Sequence, residues 1–165
     1  MSIHYIGEPL SGGVVFHHYV ISGTQEECLI VSIEDVHQGI EWSDVIDQLL
    51  GGTSSWDGEL NNGLIVGQEG HTRSAALECI NYSDGGWYLP SVSEMNLMEK
   101  ALFDVNRSLA NIPGSQEIKL GHYWTSTEYN DQWAYGFCFD DGRVEYDGID
   151  KYNKFAVRAI KKVPC

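Results

Sequence analysis

Basic residues are scarce in this chain. Ten Lys and Arg stand against 24 Asp and Glu, a formal charge of −14, and the only basic cluster is Lys161-Lys162. Without a cationic patch, nucleic-acid binding through phosphates is excluded as an expectation. The acid excess reads as a solubility device. Cysteine is sparse as well: Cys28, Cys79, Cys138 and Cys165, none in a CxxC pair. That spacing gives no zinc or thioredoxin-type site, and the density is far below that of a disulfide scaffold. The even count allows disulfides, but free thiols are expected, with Cys28 and Cys138 buried as small hydrophobes.

Long apolar runs are missing too. No stretch approaches the roughly 18 apolar residues that span a bilayer, and "MSIHYIGEPL" has neither a basic nor an apolar signal region. A soluble chain without membrane insertion is expected. Its location stays open between the cytoplasm, export by another route, and a particle such as a virion or a cell surface. Low-complexity tracts, internal repeats and linkers are lacking, so 165 residues suit one folded domain, 1–165.

Catalytic signatures are absent from the sequence. There is no GxSxG. His17 and His18 are adjacent and so point to opposite faces of a strand, while His4, His37, His71 and His122 are scattered. No catalytic residue, metal ligand or cofactor is predicted.

What is present reads as α+β. Two β-branched runs within 12–33 flank Ser22-Gly23-Thr24 and predict a hairpin. "EWSDVIDQLLGG" predicts a helix near 43–50, capped by Ser43 and stopped by Gly51-Gly52. "GTSSWDGELNNG" reads as a loop. A helix is predicted near 70–81. Another is predicted near 92–106, where Ser91 and Glu94 form a capping box before the Met95/Met98 stripe. From 123 to 160 the apolar period switches to alternation, which predicts an antiparallel sheet. Trp87, Leu89, Met95, Met98 and Trp124 are predicted core. Asp140-Asp141-Gly142 reads as a hairpin turn rather than a calcium site.

"GGVVF…CLIVSIED", "AALECINYSDGGWYLPSVSEMNLM" and "GHYWTSTEY…WAYGFCF…FAVRAI" follow one another in this order. Together they resemble a bacterial and phage family of C-type-lectin-like domains, mostly of unknown function. One member ends a collagen-like adhesin that binds sulfated glycans. More distant relatives are variable proteins diversified by reverse-transcriptase retroelements. The resemblance implies a C-type-lectin-like fold with helices packed on a small antiparallel sheet. It implies that Trp87–Pro90 line the core and that Tyr123–Thr127 form a central strand beneath the ligand face. Residues 128–153 would form the exposed face, where diversifying relatives gather substitutions. The calcium-holding Glu-Pro-Asn or Gln-Pro-Asp and Trp-Asn-Asp motifs of sugar-binding C-type lectins do not occur here. The acidic charge does not suit sulfated glycans, the reactive cysteine pair of formylglycine-generating enzymes has no match, and "FAVRAI" offers no cysteine to pair with Cys79.

The segment 127–148 mixes rings with acids and amides, the chemistry of a paratope. Tyr129, Asn130, Asp131, Trp133, Tyr135, Tyr146, Asp147, Tyr152 and Asn153 are the candidate ligand-binding residues. Trp133, Phe137 and Phe139 also fit as inward strand residues. The expected function is non-enzymatic recognition of a protein or glycan on a cell surface, as at a phage tail tip or in bacterial adhesion. Two alternatives remain: an assembly subunit, including a homo-oligomer, that buries the aromatic face, and an enzyme using Asp140, Asp141 and Asp147.

Overall fold

The computed structural model describes residues 4–165, apart from the side chains at 146–148. In chain order the elements are β1 (Pro9–Leu10), β2 (Gly13–Ser22), β3 (Gln25–Ser32), β4 (His37–Ile40), α1 (Gly58–Val66), α2 (Ala75–Ile80), α3 (Val92–Lys100), α4 (Leu102–Leu109), β5 (His122–Glu128), β6 (Trp133–Cys138), β7 (Arg143–Asp150), β8 (Phe155–Val157) and β9 (Ile160–Pro164). They form an α+β arrangement of two sheets, ordered β1-β2-β3-β9 and β4-β8-β5-β6-β7.

The predicted N-terminal hairpin is β2 and β3, turning at Gly23 with φ 56. Its apolar runs at 13–16 and 28–32 are continuous because both faces of the sheet are covered there, whereas Val20 and Ile21 near the turn are exposed. Val14, Phe16, Leu29 and Val31 join a core with Met95, Met98, Val105 and Leu109. Val15, Cys28 and Ile30 join a second core with Trp42, Trp87, Leu89 and Trp124. The five predicted core residues are thus all buried.

Several expectations are corrected. Residues 43–50 contain no helix. Their polar groups have tertiary partners instead: Ser43 Oγ donates to Gln68, Asp44 accepts from Thr72, and the amides of Leu50 and Gly51 donate to Glu128. Asp47 sits at φ 58, a conformation that interrupts a helix. The helix lies in the predicted loop. Asp57 caps α1 by accepting from Leu60 N. Asn61 and Asn62 are buried because their amides hold Ser54, Ser126 and Leu89. Gly58 is required where α1 meets the entry to α3, since a Cβ there would lie 2.7 Å from Leu89 O and 2.8 Å from Ser91 N, both backbone atoms.

The helix predicted at 70–81 is only α2, which begins after Ser74 accepts from Leu77 N. The one predicted at 92–106 starts with the expected Ser91–Glu94 capping box but divides at Ala101 into α3 and α4. The predicted antiparallel sheet is mixed: β8 runs parallel to β5, at Tyr123↔Ala156. The run "FAVRAIKKV" is two strands because Arg158 turns inward. Its guanidinium reaches Asp35 Oδ1 at 2.9 Å, Ser32 O at 3.1 Å and Gln116 O at 2.6 Å. Beyond that point β9 crosses to the first sheet and pairs with β3. That pairing brings two of the expected free thiols together: Cys28 is bonded to Cys165, with Cα atoms 5.7 Å apart. Cys79 and Cys138 are buried free thiols.

Candidate functional site

The tip between β5 and β6 is set by Asn130. Its Oδ1 accepts from the amides of Gln132 (2.9 Å) and Trp133 (2.7 Å). The amides of Tyr129 and Asn130 both donate back to Trp133 O. This local side-chain-to-backbone pattern is what makes Asn a turn former. Asn130 is therefore a positioning residue, its oxygen already engaged.

The closed tip brings three predicted residues together. The rings of Tyr129 and Trp133 lie 6.0 Å apart at 28°, and Tyr135 meets Tyr129 edge-on at 5.3 Å. Tyr129 is 45% exposed and Trp133 38%. Tyr135 is half-buried and packs against the core. Phe137 and Phe139 are buried, as strand alternation allows. The result is an aromatic ledge with its base in the core and its outer rings in solvent.

Beneath the tip lies a charge pair that the sequence did not reveal. Lys151 Nζ donates to Glu128 Oε1, to Asp131 O at 2.9 Å and to Gln48 O at 3.3 Å. It also stands 4.8 Å above the ring of Trp42. Glu128 in turn accepts from the amides of Leu50 and Gly51. The tip and the 46–53 segment are thus bound to one buried hub.

Of the other predicted residues, Asp131 belongs to the same turn, while Tyr152 and Asn153 follow β7. Asp131 is exposed, and its carbonyl serves Lys151. Tyr152 and Asn153 are exposed in the turn after β7, where Asp150 accepts from both of their amides. Tyr152 lines a separate recess of about 160 Å³ with Ile46, Asp47, Gln132 and Asp150. The side chains of Tyr146 and Asp147 lie outside the described residues. Asp141 and Gly142 make the expected turn, with Gly142 at φ 68 and Asp141 accepting from Arg143 N.

A larger cleft, about 330 Å³, lies elsewhere, between the first sheet and α3. Tyr19, Leu29, Trp56, Leu97, Glu94 and Lys162 line it. Burial pushes the Glu94 carboxyl up, although hydrogen bonds from Ser91 and Tyr88 oppose this. Burial and the bond to Glu27 push the Tyr19 hydroxyl up. Trp56 is 69% exposed. A tryptophan inside the Gly/Ser/Asn-rich stretch 52–63 is the sequence signal for this cleft.

Among the described residues no helix is long and apolar enough to cross a membrane. No family model matches the chain, and no characterised protein matches its sequence.

Proposed function

We propose that this chain is a non-enzymatic recognition domain of C-type-lectin-like fold, which binds a protein or glycan on a cell surface through the Tyr129/Trp133/Tyr135 ledge. The fold reading is supported by β9 returning to the sheet of the N-terminal hairpin and by a long irregular segment between β4 and α1. One observation carries the function: three contiguous rings sit on a turn whose backbone is fixed by Asn130 and Lys151. Rings held in place before contact lose little entropy on binding. Tyr and Trp also combine large contact area with a polar tip, the recurring chemistry of binding hot spots. A phage tail tip or a bacterial surface assembly is the setting that the family resemblance offers.

The test is a glycan array together with a pull-down from bacterial envelope, using the parent chain and the Tyr129→Ala and Trp133→Ala variants. Binding that both variants lose supports the proposal. Binding that both retain sinks it. The competing assembly reading is separated by solution mass: a stable oligomer in which the ledge is protected from solvent favours assembly over recognition.

A further inference from the structure

We propose that His122, Cys138 and Glu145 form a binding site for a thiophilic divalent cation, Zn²⁺ by the chemistry of its ligands. One donor comes from each of three adjacent strands. His122 on β5 pairs with Cys138 on β6. Cys138 pairs with Arg143 on β7, and Glu145 lies two residues further on. Directly opposed residues share a sheet face, and so do residues two apart, so all three side chains project to one side. Their ligand atoms lie within 4.8 Å of one another.

The spacing suits a small tetrahedral ion. Zinc bonds of about 2.0–2.3 Å to N, O and S place neighbouring donors roughly 3.3–3.8 Å apart. His122 Nε2 and Glu145 Oε1 are already 3.1 Å apart. The donor set also selects the ion. A thiolate is a poor ligand for Ca²⁺ or Mg²⁺, whereas Cys, His and carboxylate together suit Zn²⁺. On binding, the Sγ–H bond breaks, the Sγ–metal bond forms, and the proton leaves to solvent.

The surroundings provide support and access. Phe155 stacks on the His122 ring at 5.1 Å and restricts its orientation. Cys138 Sγ donates to Asp140 Oδ2 at 3.7 Å, so a second carboxylate stands beside the thiol, as outer-shell partners of metal ligands do. Arg143, the cation facing Cys138 from β7, is paired with Asp141 at 3.3 Å. Cys138 is buried while His122 is exposed, which leaves an entry from solvent. The site stands at the 139–142 turn, the opposite end of β5 and β6 from the aromatic ledge, so bound metal would tie the three strands together there.

The experiment titrates the untagged full chain with Co²⁺ and then with Zn²⁺. One equivalent of Co²⁺ is expected to produce a sulfur-to-cobalt charge-transfer band and tetrahedral ligand-field bands, both removed by one equivalent of Zn²⁺. Cys138→Ser is expected to abolish the charge-transfer band, while Cys79→Ser keeps it. His122→Ala and Glu145→Gln, both at accessible positions, are each expected to weaken Zn²⁺ at least tenfold. Circular dichroism checks that each variant is folded, and if Cys138→Ser is not, the other two decide. The proposal is overturned if no charge-transfer band forms, if the band survives in folded Cys138→Ser, or if His122→Ala and Glu145→Gln bind Zn²⁺ as the parent does.

Discussion

Lys151 Nζ lies 2.7 Å from Glu128 Oε1, and the two side chains are 0% and 2% exposed. The pair joins β5 to the turn after β7 directly beneath the aromatic ledge. Removing one partner strands a charge away from water, which typically costs 3–5 kcal/mol.

Lys151→Met is therefore expected to lose about 3–5 kcal/mol in urea unfolding. The double variant Lys151→Met/Glu128→Leu should recover a large part of that loss, since it leaves no unpaired charge. Additive losses in the double-mutant cycle would contradict the pairing.

Tyr129→Ala and Trp133→Ala should each change stability by only about 0.5 kcal/mol, as substitutions at exposed positions do. Each should weaken the cognate complex by about 2 kcal/mol, roughly thirtyfold. Tyr135→Ala should cost on the order of 1–2 kcal/mol of stability as well, because its ring is part-buried. Equal stability losses for all three would mean that the outer rings are core.

Met98 is fully buried among Val14, Tyr88 and Tyr123. Met98→Ala is expected to cost about 2–5 kcal/mol through the cavity it leaves. Affinity, measured where the variant is still folded, should match that of the parent.

The Cys28–Cys165 bond closes a span of 137 residues. Reduction, or Cys165→Ser, should lower stability by about 2–5 kcal/mol. Dithiothreitol should then have no further effect on the Cys28→Ser/Cys165→Ser variant. A parent whose unfolding midpoint ignores reductant would argue against the bond.

Burial raises the Glu94 carboxyl above its ordinary value of 4.5, while bonds from Ser91 and Tyr88 and the charge of Lys162 oppose the shift. The folded chain thus holds this proton to higher pH than the unfolded chain. The resulting stability is fully present below about 4.5 and is lost as pH rises through the folded value. The parent should lose stability relative to Glu94→Gln as pH is raised from about 4. A difference that is flat, or that grows in the parent's favour, would contradict the shift.

The parts legible in the sequence were those with local causes. The hairpin needs only β-branched runs and Gly23, and the start of α3 needs only Ser91 and Glu94. The ring-rich tip announced itself through composition. The parts that were not legible depend on partners far along the chain. "EWSDVIDQLL" has helical spacing, but Glu128 and Thr72 hold its polar groups elsewhere. Asn61 and Asn62 looked like loop residues, yet their amides bond inside the core. Arg158 divides an alternating run because Asp35 is 123 positions away. The same limit applies at the metal-ligand cluster: His122, Cys138 and Glu145 are scattered in sequence and meet only through strand register.

The β3–β9 pairing also imposes a schedule on synthesis. Residues 25–32 leave the ribosome well before residues 160–164 and can close the hairpin with β2 at once. Their other edge, Glu27 to Val31, must wait for residues 160–164. At about 5–20 residues per second, a separation of 137 residues is a delay of roughly 7–27 s. Throughout that interval an apolar strand edge stands open while the segments for both cores are still being made. A nascent chain with such an edge is a substrate for holding chaperones and a template for mispairing with its neighbours on the same message.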